Sequence, residues 1–331
     1  MLLLVFDYLD LASLSNICRV CKKWREVSFS SSLRRWNHIP AKLAMKHLDN
    51  IDAIMKGFSR RKITNITILS NQCPRINHVK TIMNNTHEIT QLDLSYALKC
   101  DENFLSKVFW KKKYSFLKKL CLPKTYLPPN FVQKISHLTS LQIIFEDYQS
   151  GIANVRIFNS CLRFLEHMSI VVLSKPVNPS SVLNEPIPVL PSLLSLDCPY
   201  DVIRVFWLFK AYPNITKLNF CLHHSSLQFL IHLISGNCPN LEDLTLLLEA
   251  PRTAHELQPL IRLTKLHRLA VKSQPSTAVI EMLLKCPLSS LRVLECEVPK
   301  GFDPQLLENL ASVAPHLSVK LVCFIQTSRG S

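Results

Sequence analysis

The sequence predicts an α/β protein: a short all-helical N-terminal module followed by a right-handed solenoid of about ten irregular strand and helix units, curved into a horseshoe. Three observations predict it. An apolar triplet recurs at nearly even intervals through most of the 331-residue chain. Prolines stand between the triplets and the amphipathic segments that precede them. The first 36 residues lack the triplet and show only helical periodicity. With 47% hydrophobic residues the chain can bury one elongated core beside a small module.

The N-terminal module comes first. Leu2, Leu3, Phe6 and Leu9 fall three or four residues apart, on one helical face. Asp10 opens a turn into a second stripe of Leu14, Ile17, Val20, Cys21 and Trp24. The pieces Leu2-Leu3-Leu4-Val5-Phe6-Asp7-Tyr8-Leu9-Asp10, Leu14, Val20-Cys21-Lys22-Lys23-Trp24-Arg25 and Ser32-Leu33-Arg34-Arg35 together resemble the F-box family. The resemblance implies three short helices over residues 1–40 that dock on a Skp-type adaptor and, through it, on a cullin-RING scaffold. It also implies that Leu3, Val5, Phe6, Leu9, Leu14, Val20 and Trp24 contact the adaptor or support that contact. A unit this small needs the same residues for its own packing, so both roles stay open. The Leu-Pro-x-Glu stretch that usually opens the motif does not precede Leu2, so the front edge is expected to be missing.

Residues 41–60 are read as a connecting helical segment. From there the triplets begin: Ile63-Ile66-Ile68, Ile89-Leu92-Leu94, Leu117-Leu120-Leu122, Leu138-Leu141-Ile143, Leu165-Met168-Ile170, Leu193-Leu196-Cys198, Ile215-Leu218-Phe220, Leu241-Leu244-Leu246, Leu266-Leu269-Val271 and Leu291-Leu294-Cys296. The last two apolar residues of each triplet point the same way from a short strand, and the residue between them points to the other face. Segments such as Ser226–Ile234 read as covering helices. Prolines at Pro191, Pro213, Pro239, Pro287 and Pro315 disfavour helix just before each strand and so separate the two. The interval from one triplet to the next is the leucine-rich-repeat period. Asn237-Cys238-Pro239-Asn240-Leu241-Glu242-Asp243-Leu244-Thr245-Leu246 resembles the cysteine-containing class of that family most closely. The array is expected over 61–331. The Cys or Asn usual three residues after the strand is replaced by Ala97, Thr125, His223 and Glu249. Lys175–Pro191 is expected to be a loop, and the unit near Leu317 and Leu321, out of step by one residue, a C-terminal cap.

Composition narrows the function. The net charge of +15 is uneven: residues 1–125 carry 22 Lys/Arg against 9 Asp/Glu, and residues 126–331 carry 17 against 15. Twelve cysteines scattered through a long chain without a leader pattern favour a reducing compartment, cytoplasmic or nuclear, over a disulfide framework. Asp7 and Asp10 interrupt the apolar start, which is therefore read as fold and not as a signal peptide. No stretch approaches the ~20 apolar residues of a membrane-spanning helix. Cys18-Arg19-Val20-Cys21 has a zinc-like spacing, but structural zinc needs four ligands and no second pair follows. His223-His224 reads as a surface feature, and no Gly-rich phosphate loop exists. No metal, cofactor or catalytic residue is assigned, and the chain is read as non-catalytic.

The expected function is substrate recognition within an SCF-type ubiquitin ligase, with an unknown target protein held on the concave face. The strand positions flanking the buried leucines supply that face: Gln91, Asp93, Lys119, His167, Lys217, Asn219, Asp243, Arg268, Lys272, Glu295 and Glu297. Two alternatives stay open. One is a repeat scaffold that no longer assembles a ligase. The other is a basic solenoid that binds nucleic acid through Lys107, Lys111, Lys112, Lys113, Lys118, Lys119 and Lys124 with Trp110, Tyr114 and Phe116 among them. A solvated helix face accounts for the same lysines.

Overall fold

The structure is a computed structural model of the chain. It describes residues 5–6, 16–17, 19–28, 41–44, 65–69, 89–95, 116–124, 127, 129–145, 148–172, 188–198, 210–222, 227–248, 253–273 and 277–323. The chain divides into two compact units, Met1–Glu146 and Asp147–Ser331. No helix among the described residues is long and apolar enough to cross a membrane.

In the first unit, helix α1 (Lys22–Ser28) precedes five parallel strands: β1 (Ala41–Ala44), β2 (Asn65–Leu69), β3 (Gln91–Asp93), β4 (Lys119–Lys124) and β5 (Ser140–Phe145), with helix α2 (Pro129–Lys134) before the last. The register aligns the triplets, so that Ile66, Leu92, Leu120 and Leu141 stand side by side. Between Leu122 and Lys124 the ladder shifts. Pro123 lies between them and has no N–H to give to a ladder.

One expectation is corrected here. Ala41–Ala44, at the start of the segment read as a helical connection, is a strand paired in parallel with β2. Ala-Lys-Leu-Ala favours helix in isolation. Pairing along β2 satisfies its backbone groups instead, and tertiary context overrides the propensity. The remainder of 41–60 lies outside the described residues, as do Ala97, Thr125, His223, Glu249 and most of Lys175–Pro191.

In the second unit, helix α3 (Tyr148–Cys161) leads into β6 (His167–Val172), β7 (Ser195–Cys198) and β8 (Lys217–Leu222). Then come helix α4 (Leu227–Asn237), β9 (Asp243–Leu248), a short helical turn α5 (Ala254–Leu257) continued as 3-10 helix, and β10 (Arg268–Ser273). Helix α6 (Ala278–Lys285), β11 (Val293–Val298), α7 (Gln305–Val313) and β12 (Ser318–Cys323) complete it. The seven strands are parallel and in sequence order. Sequential parallel strands joined by helical returns are the architecture of a leucine-rich-repeat array.

Strict alternation places the core. Leu218, Leu244, Leu269 and Leu294 align across β8 to β11 and are fully buried, while the residues before and after each of them face the other way. Complete burial of a leucine contributes about 2–3 kcal/mol. Ile231 and Ile234 of α4 and Ile280 and Met282 of α6 close over this face. Among the described residues no helix covers the opposite face of the sheet, where Ala270 is nonetheless buried.

Beside the strand ladder, one carbonyl of each of these repeats accepts two N–H groups of the next. Leu194 O accepts the N–H groups of Thr216 and Lys217, Thr216 O those of Glu242 and Asp243, and Glu242 O those of His267 and Arg268, all at 2.8–3.0 Å. Polar side chains three residues before the strand add to this. Ser192 Oγ donates to Leu165 O at 2.9 Å, Asn214 Nδ2 to Pro191 O at 2.9 Å and Ser290 Oγ to Leu266 O at 3.0 Å. A second brace is buried deeper. Asn159 Nδ2 donates to Pro188 O at 2.8 Å, and the hydroxyl of fully buried Tyr212 donates to Asn159 Oδ1 at 3.3 Å.

The end unit is out of step by one residue, as its spacing predicts. Ser318 pairs with Val293, so Val319 and Leu321 take the inward columns and His316 falls where the earlier units have an apolar residue. Val319 and Leu321 stay half-buried. Beside them lies a cavity of about 230 Å³ lined by Leu307, Leu310, Ala311, Ala314, Leu317 and Val319.

Candidate functional site

At the N-terminus Phe6 is buried and packs edge-to-face on Trp24, with ring centroids 5.7 Å apart and planes at 75°. Such a pair adds about 0.5–1.5 kcal/mol beyond the area it buries. Helix α1 is started by Cys21, whose Sγ accepts the Trp24 N–H at 3.5 Å and whose carbonyl accepts the Arg25 N–H at 3.0 Å. Val5 and Val20 are 53% and 62% exposed. The expected adaptor residues thus separate: Phe6 and Trp24 hold the segment together, and Val5 and Val20 offer apolar surface outward. Leu3, Leu9 and Leu14 lie outside the described residues.

On the open face of the first unit, Gln91 is exposed and Asp93 and Lys119 are half-buried. The Asp93 carboxylate is engaged locally, since its Oδ1 accepts the Ser95 N–H at 2.9 Å and the Ser95 hydroxyl at 2.6 Å. Cys121 stands in register with Asp93 on the next strand, and its thiol donates to Gln142 Oε1 at 3.5 Å. Burial first, and the charge of Asp93 second, push that thiol up to about 11. Of the basic stretch, Phe116 and Lys118 are exposed at the entrance to β4, while Lys107, Trp110, Lys111, Lys112, Lys113 and Tyr114 lie outside the described residues.

The open face of the second unit brings distant residues together. Lys217, Asp243 and Arg268 occupy the same strand column, and Glu295 and Lys320 stand two residues further along on β11 and β12. Lys217 Nζ lies 3.5 Å from Asp243 Oδ2, and the Arg268 guanidinium spans Asp243 Oδ1 at 2.7 Å and Glu295 Oε2 at 2.8 Å. Lys320 Nζ then reaches Glu295 Oε1 at 3.3 Å, and Arg268 also donates to Thr245 Oγ1 at 3.2 Å. Charges alternate along this chain of five, so the strip is close to neutral. Burial alone raises the Glu295 carboxyl, but Arg268 and Lys320 outweigh it and hold the group below the usual carboxylate range.

Next to this strip is a different environment. Asp197 of β7 pairs in register with Ser169 of β6 and Asn219 of β8. Its Oδ2 accepts the Ser169 hydroxyl at 3.4 Å. Asp197 Oδ1 and Asn219 Oδ1 are buried and accept no hydrogen bond of good geometry, although the Asn219 amide lies close enough to Asp197 to favour its charged form. Burial pushes the Asp197 carboxyl up, against the smaller opposing effects of Ser169, Asn219 and Lys217. His167 and Lys272 are exposed and Glu297 is half-buried on the same face.

Sequence reading found four members of the ion-pair chain and missed Lys320, Thr245, Asp197 and Ser169. The signal was available in the spacing: Lys320 lies one repeat beyond Glu295. The one-residue slip of the last unit concealed it. Asp197 was passed over although it sits between the two inward residues Leu196 and Cys198, where the triplet rule places an open-face residue.

The F-box-like family model matches residues 1–39. No curated protein sequence matches the chain. Among solved structures, a chain of the yeast Rad7 and Elc1 complex is similar at 14% identity and a TM-score of 0.49, covering 99% of this chain and 90% of that one. The F-box-like segment at residues 1–39 stands ahead of parallel strands that follow one another in sequence order, one to a repeat, a layout similar to that of F-box/leucine-rich-repeat proteins.

Proposed function

We propose that the chain is the substrate-recognition subunit of an SCF-type cullin-RING ubiquitin ligase, without catalytic chemistry of its own, acting in the cytoplasm or nucleus. The F-box-like segment docks on a Skp-type adaptor, and the open strand face holds the protein to be ubiquitinated. The observation that carries this reading is the match at residues 1–39 together with its geometry, in which a packed Phe6–Trp24 pair leaves Val5 and Val20 turned outward. Exposed valines cost little to a segment whose interior is already filled. Their burial against an adaptor gains about 25 cal/mol for each Å² of apolar surface covered. Catalysis is then by positioning: one chain tied to both the scaffold and the target raises the effective concentration of a target lysine near the charged conjugating enzyme.

The near-neutral charge of the paired strip favours a protein ligand over nucleic acid on the second unit's open face, because phosphate binding needs uncompensated cations. The adaptor contact is tested by co-purification of the full chain with a Skp-type adaptor. Val5→Glu with Val20→Glu is expected to lower adaptor recovery at least tenfold while the thermal midpoint stays within about 2 °C of wild type. Phe6→Ala with Trp24→Ala should lose the adaptor too, but by unfolding the segment. Adaptor recovery unchanged in the double glutamate variant would move the contact away from Val5 and Val20, and intact wild-type chain recovered without any adaptor would leave the repeat array as a scaffold outside any ligase.

A further inference from the structure

We propose that the patch formed by Ser169, Asp197 and Asn219 on the open face of the second unit receives a lysine or arginine side chain of the bound protein. The inference rests on the reading of that face as the target-binding surface and specifies what it recognises. On the described part of this face, the cations Lys217, Arg268 and Lys320 already lie against Asp243 and Glu295. Asp197 is the carboxylate of the two central strand columns that has no ion pair.

Asp197 is met by neutral donors, the Ser169 hydroxyl and the Asn219 amide, and by the field of Lys217, but by no cation in ion-pair contact. The Ser169 hydroxyl sits at 3.4 Å, long for an O–H···O bond. Asp197 Oδ1 and Asn219 Oδ1, register neighbours across β7 and β8, are both buried acceptors without a hydrogen bond of good geometry. An ionised carboxylate offers about four acceptor sites, and an Asn amide oxygen two more. Buried acceptors left unfilled cost free energy in the unliganded protein. An ammonium group brings three donors and a guanidinium five, together with the charge that Asp197 lacks. An acidic or apolar side chain would leave the same acceptors unfilled and add either repulsion or further desolvation. Burial of the carboxyl, which raises its pKa, acts in the same direction.

A displayed random peptide library panned on the full chain bound to its adaptor supplies the probe. Selected peptides are expected to share a lysine or arginine, and Asp197→Asn should weaken them about tenfold or more. Replacing that basic residue by norleucine should cost the same on wild type and almost nothing on Asp197→Asn. The variant itself should melt at or above the wild-type midpoint, since it removes a desolvated charge. A lower midpoint would make the carboxylate a structural element and overturn the proposal. Binders without a shared basic residue, or a basic residue whose contribution survives Asp197→Asn, would overturn it as well. Peptides weakened by Arg268→Ala but not by Asp197→Asn would sink the cation patch alone, whereas peptides indifferent to both would also remove the open-face reading.

Discussion

Arg268 shows how one side chain can organise a surface. Its guanidinium holds Asp243 and Glu295 from two neighbouring repeats with two short bonds while remaining 31% exposed. Arg268→Ala leaves two carboxylates facing each other across a strand, and a loss of about 1–2 kcal/mol in denaturant unfolding is expected, smaller at high salt. The sign of its pH dependence follows from Glu295, whose folded pKa lies below the ordinary value near 4.3. Stability from that group is present above the unfolded pKa and is lost as the pH falls through the folded one. The gap between wild type and Arg268→Ala should therefore close in acid, below about pH 4. A gap that widened there would show that the pair acts through packing and not through charge. Asp197 works in the opposite sense: its raised pKa makes the folded state gain stability on protonation. Two carboxylates on one sheet face thus have opposite roles, one stabilising and one held at a cost.

At the scale of the element, two of the chain's five glycines occupy contrasting places. Gly301 lies in the turn between β11 and α7 with φ at +85°, a left-handed conformation that L side chains rarely adopt. Gly236 lies near the end of α4 with ordinary helical φ and open space where a Cβ would stand. Gly301→Ala should destabilise the protein by about 1 kcal/mol, and Gly236→Ala should stabilise it by up to about 1 kcal/mol. Thermal melts of the two variants check this, and a stabilising Gly301→Ala would mean that the turn relaxes out of its left-handed state. The helices themselves are held by packing more than by caps. Thr253 and Thr277 begin their helices without a side-chain capping bond, whereas at the start of α7 Asp303 Oδ1 accepts the Gln305 N–H at 2.9 Å. Their buried stripes, Ala278 to Leu283 in α6 and Leu310 in α7, carry the attachment instead.

Across the whole molecule the repeat architecture makes position in the array an energetic variable. A leucine in the middle of the second unit is enclosed by the strand before, the strand after and the helices beneath. At β12 the enclosure is incomplete, and the inward residues are half-buried beside a cavity. Stability in such an array is a sum over repeats and their interfaces. Leu244→Ala should cost about 3–5 kcal/mol and Val319→Ala about 1 kcal/mol or less, measured by equilibrium denaturation. Equal losses at both places would argue against a repeat-by-repeat accounting. The excess of basic residues sits in residues 1–125, whereas the open face of the second unit is almost self-neutralised.

Much of this was legible in the chain itself, because strands of period two set within a longer, nearly constant repeat leave a direct imprint on the order of apolar residues. The inward columns Leu218, Leu244, Leu269 and Leu294 and the open-face residues between them follow from spacing, and the pieces around Phe6 and Trp24 were legible through their resemblance to the F-box. Three matters needed the folded arrangement. Ala41–Ala44 became a strand because an adjacent strand offered its backbone partners, which no local propensity reports. Phe6 and Trp24 were separated from Val5 and Val20 by which side chains filled the segment's interior. Asp197 was distinguished from Asp243 and Glu295 only by its neighbours one repeat away on either side. Periodicity determines which face a residue takes, but charge and hydrogen bonding on that face are settled between residues a full repeat apart, and only the register of the sheet brings those into contact.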